Sequence, residues 1–359
     1  MNSKKWAISL ISLTLVIVLL FGAAELFLDP LLQYGKEPGH LTYREYSELY
    51  SNPGIAKNYD YNAVLLGSSM VENTDVSEIN ELFGCTTIKV PYSGGSSYNH
   101  KTILEVCYDS GKQIDKVFWS LDEYALTTDK DTPRYPLPEY LYDSSKINDL
   151  SYLLNLDIFY FYTLKDVAGT LTHKTEPMMK DGDWTKDPSA YCTANALSSV
   201  KYPMEQNENL GEKHFEKNLT ENMDCNIIPL VKAHPETEFN FYMVPYSILY
   251  WYQDKQKGIL DAGMYDAEYA VGELLKYENV KIHFFQDDYD IITDLDLYKD
   301  YSHFNSSVNG YISREMAKGS HLLSADNYRE RLRAFGDYLR DFDYDGFITG
   351  KLGSKNNQE

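Results

Sequence analysis

Cysteine is scarce in this chain. Four residues in 359, Cys85, Cys107, Cys192 and Cys225, lie far apart, with no C-x-x-C pair and no metal-ligand spacing. That argues against a structural zinc site and leaves at most two disulfides or four free thiols. Positive charge is the second deficit. Thirty-three lysines and arginines face 54 acidic residues, for a formal net charge of −21. Nucleic acid is excluded as a partner, because phosphate binding needs clustered Lys and Arg.

Abundance points elsewhere. The 32 tyrosines suit a sugar-contacting surface, and equally suit half-buried positions where a ring packs and its hydroxyl reaches water. One long uncharged run, Trp6 to Ala24, follows Lys4 and Lys5 and precedes Glu25 and Asp29. As a helix its nineteen residues span about 28 Å, the thickness of a bilayer core. Basic residues before it and acidic ones after it place the bulk of the chain outside the cytoplasm. A cleaved signal peptide ending at Gly22-Ala23-Ala24 is the competing reading. The expected organisation is a cytoplasmic stub and single-pass anchor over 1–28, a polar stalk over 29–60, a domain over 61–349 and a disordered tail over 350–359.

Within that domain short apolar runs alternate with amphipathic stretches. Ala63–Leu66, Thr87–Val90, Lys116–Leu121, Glu238–Val244 and Val280–Phe285 are predicted strands. Most are continuously apolar, as in a parallel sheet covered on both faces. Helices are predicted at about 99–109, at 324–338 with Ser324 as N-cap, and where Met264, Ala267, Val271, Leu274 and Leu275 share a face. The fold class is therefore α/β, a doubly wound, mainly parallel five-stranded sheet of flavodoxin-like outline. A long insertion at about 125–235 should carry helices of its own and form a lid or substrate wall.

Ligands in such folds bind beyond the carboxyl ends of the strands. There the sequence puts Gly67-Ser68-Ser69 after the first strand and Gly94-Gly95 after the second. Asp122 follows the third, Tyr246 the fourth, and Asp300-Tyr301-Ser302-His303 the last. Serine, imidazole and carboxylate together make an activated oxygen nucleophile. These blocks resemble the SGNH (GDSL-type) hydrolase superfamily over 61–124 and 238–318. The resemblance implies Ser69 as nucleophile, His303 as base and Asp300 as its acid, with Ser69 and Gly94 or Gly95 supplying oxyanion N–H groups. Ser68 stands where the family has aspartate, as in its membrane-tethered branch. That branch includes proteins of teichoic-acid D-alanylation and exopolysaccharide O-acetylation. One block departs: Ser120-Leu121-Asp122 carries a carboxylate where an asparagine amide is expected to hold the oxyanion.

The resemblance implies an extracytoplasmic serine esterase or O-acyltransferase that needs neither metal nor organic cofactor. Its substrate would be an acyl ester of a cell-envelope polysaccharide or a teichoic-acid-like polymer, with a membrane protein as possible acyl donor. The alternative is a catalytically inactive polysaccharide-binding or assembly protein that uses the same cleft. Ser68, Asp122 and Tyr246 are candidates for contact with substrate. His100, just behind the glycine turn, could reach the site. Pro245 to Trp251 could stack on sugar rings or pack against the lid. Asp341 to Gly346 imitates a calcium loop, but Leu352 stands where the bidentate glutamate belongs.

Overall fold

The computed structural model describes residues 3–35, 39–145, 147–175 and 187–355. Five strands form one parallel sheet: β1 (Ala63–Leu66), β2 (Thr87–Lys89), β3 (Lys116–Ser120), β4 (Glu238–Met243) and β5 (Val280–Phe284). Their order is β2-β1-β3-β4-β5, with Val64 beside Ile88 and Val117, and Phe239 beside Val280. The order reverses between β1 and β3, the switch point at which doubly wound sheets leave a crevice. Every residue of β1 is buried, as expected for a strand covered on both faces. Each predicted strand is present, and all but the first end one residue early.

The described residues form two units. One holds those within 61–101, 113–134 and 181–359, including the whole sheet; the other holds those within 1–60, 102–112 and 135–180. In the sheet unit Met264, Val271 and Leu274 are buried along the helix Leu260–Leu274, as their spacing predicts. The helix predicted to start after Ser324 instead runs from Tyr328 to Asp341, and its N-cap is Asn327. Ser324 donates its N–H to the Asn327 side chain at 2.8 Å, so the turn before the helix absorbs the serine.

The other unit holds α1 (Ser3–Leu28), long and apolar enough to cross a membrane, and α2 (Glu48–Asn58). Residues 29–60 are more than a stalk. Leu31, Leu32, Ile55 and Ala56 are fully buried, and Leu31 packs with Leu141, Tyr152 and Ile158. The insertion does carry helices, but residues 135–175 belong to this unit and those from 187 to the sheet unit. Its polar tract at 180–186 lies outside the described residues. Residues 344–355 are helical where the tail was expected to begin, and 356–359 lie outside the described residues. All four cysteines are free thiols.

Candidate active site

Gly67 ends β1 at a point where no side chain fits. A β-carbon there would stand 2.8 Å from that of Ser120 and 2.9 Å from the Val71 side chain. The strand can therefore turn sharply into the short 3-10 helix Ser69–Val71, with the Ser68 hydroxyl as cap, accepting from the Met70 N–H at 3.3 Å. Ser68 is buried and spent on holding the turn, whereas Ser69 is half-buried and open to a substrate.

The other half of the site lies between β5 and a helix over Ser306–Lys318. Tyr298 and Phe304 pair across a loop, closed also by the Lys299 N–H on the His303 carbonyl at 2.9 Å. Asn305 caps the helix, so Asp300 and His303 sit in the loop ahead of it and not in its first turn. Asp300 Oδ1 accepts the backbone N–H of Ser302 and of His303, each at 2.9 Å. Two further bonds tie this loop region to the serine turn. Asn73 donates to the Phe304 carbonyl at 2.9 Å, and Asn309 to that of Met70 at 3.3 Å.

The result is a relay. Ser69 Oγ lies 2.9 Å from His303 Nε2, and His303 Nδ1 lies 2.9 and 2.7 Å from the two oxygens of Asp300. An ionised carboxylate only accepts, so the proton sits on Nδ1 and Nε2 is left to accept from the serine. Burial alone would push Asp300 up, but the His303 ring, its charge and the two backbone N–H groups hold it down at about 2. It stays ionised at neutral pH and so fixes the ring's tautomer and orientation.

The glycine block resolves into two different residues. Gly95 is buried and donates its N–H to the Tyr92 carbonyl at 2.7 Å. Gly94 is half-buried and left-handed at φ 61°. Among the described residues, neither its N–H nor that of Ser69 is engaged in an internal hydrogen bond. His100 lies behind the turn, close against Gly95, where Trp119 donates to its Nδ1 at 3.3 Å. Burial lowers it to about 4, so it is a neutral strut.

Asp122 is an acceptor where an amide donor was expected. One oxygen takes the Ser68 N–H at 3.3 Å and the other takes the Tyr246 hydroxyl. Burial raises this carboxyl, while those two donors and the His303 charge pull it back. Its place is behind the nucleophile's turn, as a brace. Tyr246 is buried and stacks on Tyr250 at 4.2 Å, which in turn faces Tyr301 at 6.3 Å. Trp251 is buried against Phe335. This aromatic cluster is packing that supports the Asp300–His303 loop from below.

No protein-family model and no curated protein matches the chain. The arrangement is chemically legible without a relative. It offers a serine hydroxyl, an imidazole and an ionised carboxylate in line, and N–H groups of Ser69 and Gly94 with no internal acceptor among the described residues. Sequence reasoning missed the braces Asn73 and Asn309, and also Arg134. The Arg134 Nε lies 3.6 Å from where a Gly94 β-carbon would stand, and its guanidinium bonds the Tyr124 hydroxyl at 2.8 Å. Arg134 sits in the proline-broken start of the insertion, and no local pattern marks it. Among the described residues no group of His, Cys, Asp and Glu could hold a metal, the stretch Asp341 to Gly346 included.

Proposed function

We propose that the chain is a membrane-anchored, extracytoplasmic serine esterase or O-acyltransferase of SGNH type, acting on acyl esters of a cell-envelope polysaccharide. The observation that carries this reading is the Ser69–His303–Asp300 relay, closed at 2.9 and 2.7 Å between segments more than two hundred residues apart. A tight turn with an incidental histidine would not need that alignment. The apolar α1 supports the anchor.

The chemistry runs in two steps. His303 Nε2 takes the Ser69 proton as Oγ bonds to the ester carbon, and the carbonyl electron pair moves onto oxygen. The N–H groups of Ser69 and Gly94 hold that oxyanion. The intermediate collapses as His303 returns the proton to the leaving alcohol oxygen and the C–O bond breaks, leaving an acyl group on Ser69. Water, or a polymer hydroxyl, then attacks the acyl carbon with its proton going to His303, and the second intermediate collapses as His303 returns that proton to Ser69 Oγ and the Oγ–acyl bond breaks. The imidazolium formed midway is held by the ionised Asp300 on its Nδ1 side.

Asp122 also favours a second reading, a non-catalytic polysaccharide-binding or assembly protein, because a carboxylate stands after the third strand where an amide would donate to the oxyanion. Loss of one such donor costs about 2.7–4 kcal/mol of transition-state stabilisation. A fluorophosphonate probe separates the two. An esterase or transferase labels at Ser69, and Ser69→Ala and His303→Ala do not. A folded, unlabelled wild-type protein would establish the second reading.

A further inference from the structure

The segment 147–171 is built inside out for a protein in water. Its short helices Leu150–Leu153 and Leu156–Ile158 bury Tyr152 and Ile158, but the π-helical turn Phe159–Thr163 and the helix Leu164–Leu171 that follow turn polar side chains inward. Thr163 and Asp166 are buried. Thr163 donates to the Glu25 carboxyl at 2.9 Å. Asp166 accepts the Glu45 N–H at 2.7 Å and lies 3.8 Å from the buried Arg44 guanidinium. The outward face carries Leu150, Leu156, Tyr160, Phe161, Leu164 and Leu171, from 42 to 74 % exposed. Asp157 and Lys165 interrupt it, and Lys165 bends away to Glu45. A surface helix in water shows the opposite pattern. Polar groups facing the bundle and apolar ones facing out is the pattern of helices in contact with lipid.

The neighbouring α1 says what covers that face. Phe159 packs on Phe21 at 4.9 Å between ring centres, and Thr163 bonds Glu25, so the two helices run alongside in constant register. Phe21 lies three residues before the end of the uncharged run at Ala24, which puts Phe159 about 5 Å inside the apolar layer. Leu156, three residues earlier, lies at a greater depth again, by about one helical step of the same size. Leu26 and Phe27, exposed on α1, extend the same apolar band.

Resting on the reading of α1 as a membrane anchor, we propose that residues 147–171 form a second membrane-contacting element. It would be seated in the outer leaflet beside α1, with acyl chains and glycerol backbones covering Leu156, Tyr160, Phe161 and Leu164. The anchor is then a helical wedge and not a lone helix with a free stalk, and the buried pairs Thr163–Glu25 and Arg44–Asp166 are its internal polar lock.

The test uses full-length protein in phosphatidylglycerol nanodiscs and in native membranes. Photo-reactive benzoylphenylalanine is placed in turn at Leu156, Phe161 and Leu164, at Ile11 within α1, and at Tyr289 in the sheet unit. Melting curves matching the unsubstituted protein show that each variant is folded. Lipid adducts at Leu156, Phe161 and Leu164 should be of the order of those at Ile11 and roughly tenfold above Tyr289, as depth in an apolar layer requires. Adducts at the Tyr289 level, with Ile11 still labelling lipid, would overturn the wedge while leaving the anchor intact. Silence at Ile11 as well would show that the anchor reading itself had failed. A discrete protein adduct replacing lipid at Phe161 in native membranes would overturn the proposal in favour of a membrane-protein partner.

Discussion

Two apolar runs in this chain have opposite fates. Ala63–Leu66 becomes β1, every residue buried, and hands a serine to the rim of the sheet. The run Leu153–Leu164 becomes a chain of short helices that bury a threonine and leave leucines outside. Composition alone does not separate them. What does is the company of the polar residues: around β1 they gather beyond the strand end as Ser68, Ser69 and Asp122, while Thr163 in the second run and Asp166 just after it point inward at the Glu25 carboxylate and the Arg44 guanidinium. An apolar run thus declares its surroundings only when the polar positions beside it are assigned partners.

That contrast can be broken most forcefully by polar substitution. Val64→Asn should destabilise by roughly 3 kcal/mol or more, since a fully buried amide gains no partner. Leu156→Asn, in detergent, should stay within about 0.5 kcal/mol. Chemical denaturation of the two variants measures the gap, and equal costs would erase the distinction.

Buried carboxylates sharpen it next. Asp266, in the sheet unit near Glu123 and Asp254, is buried with no partner for either oxygen among the described residues, and burial raises it to about 7. Its native form binds more protons than the unfolded chain between about pH 4 and 7, so its effect is to lower stability as pH rises through that window. Asp266→Asn should therefore raise Tm at pH 8, by the equivalent of about 1–3 kcal/mol, and leave it nearly unchanged at pH 4. Asp166→Ala should destabilise at pH 8, because it removes the acceptor of the Glu45 N–H and the carboxylate beside the buried Arg44.

The smallest effect concerns the brace. Tyr246→Phe removes one of two donors to Asp122 and should cost about 1 kcal/mol of stability. It should slow turnover more than it weakens substrate binding. A change in KM alone would place Tyr246 in substrate contact instead.

Much of the sheet was legible in the sequence because parallel strands buried on both faces leave uninterrupted apolar runs, and those five runs are unbroken by proline. Ser69, Asp300 and His303 were legible because strand ends are marked by those runs and the residue types are rare in combination. The inactive side of Gly95 was not, since only the turn's hydrogen bond to Tyr92 shows that its N–H is spent. Nor was the brace at Asp122, whose partners Ser68 and Tyr246 come from two other strand ends. Ser324 misled because a serine before a helical pattern reads as a cap wherever the first turn falls.

The central claim is that Ser69 carries the acyl group between donor and acceptor, and trapping that intermediate tests it most directly. Wild-type protein mixed with an activated acyl ester, quenched in acid and digested should yield an acylated peptide containing Ser69. That peptide should be absent from Ser69→Ala and depleted about a thousandfold or more in rate of formation in Asp300→Asn. Normal ester turnover by Ser69→Ala, with no acyl group on Ser69 in the wild type, would contradict the account.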